Sequence, residues 1–124
     1  MNNEPILLKP AFKDYIWGGT KLRTEYGKEC DYDRIAESWE LSAHKDGQSI
    51  VASGKYSGKT LSEYIDICGR DILGTRGMAF EFFPILIKFI DAKSNLSVQV
   101  HPSDDYALKN EGEYGKTEVW YVLS

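Results

Sequence analysis

Apolar and polar residues alternate with period two over "RIAESWELS", Arg34 to Ser42, with Ile35, Glu37, Trp39 and Leu41 on one side and Ala36, Ser38, Glu40 and Ser42 on the other. Residues two apart share a face of a strand, so the spacing predicts a strand with a mixed face containing Glu37 and a smaller polar face. "HKDG" supplies a turn and "QSIVAS" the next strand, which together predict a hairpin. Upstream, "PILLKP" reads as a short strand. "DYIWGGTKLRTEYG" reads as a turn at Gly18 and Gly19 followed by a brief helix ending near Gly27. Both glycines of that turn are expected to supply conformational freedom that other residues would reach only under strain.

The period changes between Thr60 and Cys68. Leu61, Tyr64, Ile65 and Cys68 recur at i, i+3, i+4 and i+7, Thr60 and Glu63 have the spacing of a capping box, and Gly69 stands where a C-terminal glycine belongs. A helix is predicted there, and "RDILG" adds one more short helical turn. After the loop "TRGMAFE", the runs "FFPILIKFIDAK" and "NLSVQVHP" return to strand character. A short helix follows, which Ser103 can cap with Asp104 and Asp105 in its first turn, and "TEVWYVL" forms a last strand. Helix in the middle and strand on both sides give an α+β class, mainly β, with a predominantly antiparallel, sandwich-like sheet. No repeat or low-complexity tract interrupts it.

A length of 124 residues fits one domain, and 42% hydrophobic with 27% charged residues fits a packed, soluble one. The net charge of -4 is spread over scattered bases, which argues against nucleic acid or an anionic membrane as partner. The longest apolar run, "FFPILIKFI", is far short of a membrane span and is broken by Pro84 and Lys88. No signal peptide is recognised, and two cysteines, Cys30 and Cys68, are too few for a disulfide framework; reduced thiols and a cytoplasmic location are expected.

Candidate chemistry concentrates near the end. In "SVQVHP", Gln99 and His101 share one strand face, Val98 and Val100 the other, and Pro102 ends the ladder. If "TEVWYVL" lies near, Glu118 completes an oxygen, nitrogen, oxygen donor set. Zinc takes imidazole and carboxylate readily, but glutamine is an uncommon ligand, so the spacing alone is a weak signal. Lys88 lies within an apolar run and needs either a buried partner or an edge position from which to reach water. Trp17, Trp39 and Trp120 read as core or pocket-wall aromatics, Glu37 and Glu40 as strand-face charges, and Asp104 and Asp105 as helix-start acids.

The run "FFPILIKFIDAKSNLSVQVHPSDDYA" with "GKTEVWYVL", preceded in order by "IWGGTKL" and "AESWELSAHKDGQSIV", resembles the type I mannose-6-phosphate isomerases, particularly their shorter bacterial branch. The likeness extends from about Pro10 to Leu123. It implies a cupin-like antiparallel β-sandwich, or jelly roll, incomplete at its C-terminal end, with residues 1–124 the N-terminal part of the catalytic domain. It implies a Zn2+ cofactor on Gln99, His101 and Glu118, with a fourth ligand, a histidine, beyond residue 124. His44 matches a different family segment, and the family's late arginine near the sugar phosphate also falls outside this chain. Ser97 and Lys88 are implied to bind substrate, mannose 6-phosphate or fructose 6-phosphate, and Lys116 is the catalytic candidate by its place beside Glu118. The proton-transferring base is not identified, and the chain by itself is expected to be inactive. A non-enzymatic cupin-like module binding sugar or metal is the alternative; a dioxygenase-type metal cupin fits less well, because only His101 is at hand. The apolar alternation of the last strand also predicts self-association through it.

Overall fold

The computed structural model describes residues 4–96 and 117–124. Among them, five short strands form two antiparallel sheets. Strand β1 (Leu8–Lys9) pairs with β4 (Ile50–Val51), placing Leu8 opposite Val51. Strands β2 (Ala11–Lys13), β3 (Glu37–Leu41) and β5 (Ile87–Ile90) make the second sheet, with β3 at its centre. A central strand must tolerate burial on both faces, and the alternation around β3 allows it: Ile35, Ala36, Ser38 and Trp39 are all buried.

The expected hairpin between β3 and "QSIVAS" is corrected. The turn closes, with the Ser49 N–H donating to the Ser42 carbonyl at 2.8 Å, but β4 then pairs with β1 and β3 is flanked by β2 and β5. The side chain of Ser49 does what a second ladder bond would have done: its hydroxyl accepts from the Ser42 N–H at 3.0 Å and reaches back to the Trp39 and Glu40 carbonyls. The ladder therefore ends at the turn and the next residues pair elsewhere.

The strongest helix reading is borne out. Helix α2 (Leu61–Cys68) follows α1 (Lys21–Thr24) and carries both halves of the capping box: the Glu63 N–H donates to the Thr60 hydroxyl at 3.2 Å, and the Thr60 N–H to the Glu63 carboxylate at 3.0 Å. Its buried face, Leu61, Tyr64 and Ile65, packs with Val51 of β4 and closes over Leu8, Leu41 and Phe83. Gly69, with φ of 94°, ends it in a conformation only glycine adopts freely. A 3₁₀ turn (Arg70–Leu73) supplies the one further helical turn expected after it, whereas the loop expected over "TRGMAFE" is corrected at its start, where α3 (Gly74–Gly77) adds another turn.

Gly18 requires glycine, and Gly19 is crowded, for a different reason from the one expected. Neither has positive φ. A Cβ on Gly18 would lie 2.5 Å from that of Ala36, and one on Gly19 would lie 2.5 Å from the Asp91 carboxylate. The turn is pressed against the edges of β3 and β5, where Gly19 bridges Ile35 and Gly18 bridges Ala92. Space, rather than backbone freedom, selects the residue type at Gly18, where the Ala36 backbone stands in the way.

Residues 117–124 are described, exposed and in no strand, so the strand expected for "TEVWYVL" is corrected: a strand exists through its ladder, and the described residues offer it none. The strand predicted for "NLSVQVHP", from Ser97 onward, and the helix capped by Ser103 lie outside the described residues.

Candidate functional site

One face of the three-stranded sheet carries an unusual density of charge. The register sets Lys13 opposite Glu37, Ala11 opposite Trp39 and Lys88 opposite Trp39 from the other side, so these side chains share a face. Between Trp39 and Leu41 the β3–β5 register slips by one residue. Such a bulge ends regular pairing and bends the strand immediately beyond the tryptophan.

Glu37 is the centre of this face. It is only 6% exposed. Its Oε1 accepts the Trp39 indole N–H at 2.7 Å and the Lys88 ammonium at 3.1 Å, the latter from fifty-one residues along the chain. Burial of a carboxylate is costly unless it is paired and hydrogen-bonded, and here both conditions are met on one oxygen. Lys88 thus has the buried partner its place in an apolar run demanded, and it has it from β5, an edge strand of the described sheet. Glu37, read as a strand-face charge, is corrected to a buried ion-pair partner.

The indole of Trp39 gathers further cations. The Lys88 nitrogen stands 5.7 Å and the Lys13 nitrogen 4.5 Å from its ring centre, distances at which an ammonium is attracted to an aromatic face. Lys13 also donates to the Asp46 carbonyl. His44 meets the same ring edge-on at 5.7 Å, and its Nδ1 accepts the Asp46 N–H at 3.0 Å. Tyr15, its ring tilted against that of Trp17 at 5.6 Å, has its hydroxyl pushed above the ordinary tyrosine value by burial first, and then by the Glu37 and Asp46 carboxylates. The opposite face of the sheet is plainly structural: Lys28 pairs with Glu40 at 2.7 Å and covers Phe89, and Glu40 also accepts from Ser38.

Of the residues named from sequence, Lys88 is placed inside this cluster. Glu118 is described, exposed, and accepts the Trp120 indole N–H at 3.3 Å. Ser97, Gln99, His101 and Lys116 lie outside the described residues. Among the described residues no group of three or more His, Cys, Asp or Glu side chains could hold a metal. The chain leaves β5 beside the cluster's border, because the N–H groups of Lys93 and Ser94 both donate to the Trp17 carbonyl, at 2.8 and 3.2 Å. Lys13 and Tyr15 were not singled out from sequence; the register that brings β2 beside Glu37 is not a local signal. Trp39 and Glu37 were legible as sharing a face, but not as partners.

Comparison with known proteins gives a consistent result. Residues 6–118 match the family model described as phosphomannose isomerase type I, catalytic domain. The chain is 45% identical over 124 residues to the mannose-6-phosphate isomerase ManA of Bacillus subtilis, covering 99% of this chain and 38% of that relative. It is 44% identical over 122 residues to a mannose-6-phosphate isomerase of Streptococcus mutans, covering 98% of this chain and 37% of that relative. A crystal structure of a mannose 6-phosphate isomerase from Bacillus subtilis superposes with a TM-score of 0.79 at 44% identity, over 91% of this chain and 35% of that one. The chain therefore spans little more than a third of the length of these relatives.

Proposed function

The chain belongs to the type I phosphomannose isomerase family, and we propose that it forms the N-terminal part of a cytoplasmic sugar-phosphate isomerase that interconverts mannose 6-phosphate and fructose 6-phosphate. The cupin-like, mainly antiparallel fold is that of its solved relative. The observation that carries the proposal is the family match over residues 6–118, a span that contains both the Glu37–Lys88 cluster and the segment bearing Gln99, His101 and Glu118.

Moving a carbonyl between the first two carbons of a sugar requires a proton to pass between them while negative charge builds on the neighbouring oxygens. Lys88 is a partly exposed cation held by the buried Glu37 carboxylate, suited to hold an anionic group of such a substrate. Ser97 is proposed to bind substrate as well, and Lys116 to assist proton movement. The donor types of Gln99, His101 and Glu118, an amide oxygen, an imidazole and a carboxylate, fit a divalent ion of the Zn2+ kind that still needs a further ligand. Zinc, when bound, supplies Lewis-acid stabilisation of the developing charge.

Isothermal titration of this polypeptide with zinc tests the ligand assignment. Binding is expected, and His101→Ala and Glu118→Ala should each weaken it by more than about tenfold, the scale on which even the outer partners of a metal act. Zinc binding unchanged by both substitutions would remove the metal site from the proposal.

A further inference from the structure

We infer that Glu37 is a positioning residue, holding the Lys88 ammonium where it meets the anionic group of the substrate; this rests on the isomerase reading above. Three observations carry it. Glu37 is enclosed on the central strand of the sheet, whereas Lys88 lies on β5 and keeps its side chain 23% exposed, so the carboxylate is the fixed member and the ammonium the reachable one. A single oxygen, Oε1, takes both the Trp39 indole N–H at 2.7 Å and the Lys88 nitrogen at 3.1 Å. The indole that orients Glu37 also presents its ring to Lys88 at 5.7 Å, which gives the cation a second point of attachment.

The consequence concerns the freedom of a lysine. A free lysine side chain loses substantial rotamer entropy when a ligand immobilises it, and that loss subtracts from affinity. On Glu37 and Trp39, Lys88 is ordered before any ligand arrives. Among the described residues Glu37 takes one of its three N–H bonds, and the others remain for anionic oxygens. Glu37 never touches the substrate in this arrangement; its effect passes entirely through Lys88.

Two experiments separate this inference from the reading beneath it. In the first, Lys88 of this polypeptide is acetylated with a limiting activated ester and its rate is followed by peptide mass spectrometry against Lys55 as internal reference. Glu37→Gln keeps an acceptor for Trp39 but removes the charge that holds the ammonium, and should raise the relative rate at Lys88 several-fold; an unchanged rate overturns the tether. In the second, residues 1–124 replace the matching part of the Bacillus subtilis mannose-6-phosphate isomerase, and a thermodynamic cycle is measured on the chimera. Glu37→Gln and Lys88→Met should each raise KM for mannose 6-phosphate about tenfold with kcat changed less than about threefold, and the double variant should be no worse than Lys88→Met. Multiplying KM effects in an active chimera overturn the positioning role. A folded wild-type chimera without turnover overturns the isomerase reading instead, while the acetylation result still decides the tether.

Discussion

A methyl group is enough to test how tightly the Gly18 turn is seated. Placed on Gly18, its carbon would stand 2.5 Å from the Ala36 Cβ and 2.6 Å from the Ala36 Cα, so no flexible side chain is there to give way. Gly18→Ala should destabilise the chain by about 1–3 kcal/mol, the usual cost of overpacking, read as a lowered urea midpoint with an unchanged slope. At Gly27, where φ is 67° and nothing stands within 4 Å, the cost of alanine comes from the backbone alone. Residue-scale chemistry was only partly legible in the sequence. That Lys88 needs a partner followed from its apolar surroundings; that the partner is Glu37, fifty-one residues away, depended on a strand register no local pattern contains. Glu37 itself carried a signal that was available but easily discounted: an acid in a run whose neighbours Ile35, Ala36 and Ser38 are fully enclosed.

Among the elements, α2 was readable because everything that defines it lies within ten residues. The capping box, the apolar spacing and Gly69 are all local, and local physics suffices to start and stop a helix. Strand β4 was misassigned to β3 because pairing is decided by whichever distant edge best matches its few residues, and β1 does so through Leu8 and Lys9. The capping box also gives the chain a measurable acid response. The Thr60 N–H, and then its hydroxyl, hold the Glu63 carboxyl below the usual glutamate value. A lowered folded-state value means stability that is present above the unfolded value of about 4.3 and is lost as pH falls through the folded one. Urea unfolding from pH 7 to pH 2 should therefore show Glu63→Gln less stable than wild type at neutral pH, with the two curves converging in acid. Thr60→Ala should cost about 1 kcal/mol at neutral pH. A pH-independent gap between Glu63→Gln and wild type would contradict the ionic part of the cap.

For the whole molecule, the described end of the chain is its least settled surface in energetic terms: Val119 is 95% and Tyr121 86% exposed, within a run of five apolar residues. Apolar surface of this kind seeks cover. Sedimentation of the 124-residue polypeptide should show mass rising with concentration, and Val119→Lys with Tyr121→Lys should reduce the rise; a clean monomer at high concentration would contradict it. The fold class and sheet character were legible from helix patterns lying between strand patterns, and the family from blocks that resemble it in order along the chain, whereas the zinc ligands proposed at Gln99 and His101 were legible only by likeness, since a strand histidine before a proline has no chemical signature of its own. In the function proposed here, this chain contributes the Glu37–Lys88 face and three of the metal donors to an isomerase site completed by residues beyond those it contains. The most direct test is a coupled assay for conversion of mannose 6-phosphate to fructose 6-phosphate, with zinc supplied, comparing the 124-residue polypeptide with the chimera that joins it to the remainder of the Bacillus subtilis enzyme. Turnover by the chimera and none by the polypeptide alone is the predicted result; robust turnover by the polypeptide alone, or a folded and zinc-loaded chimera with none, would contradict it.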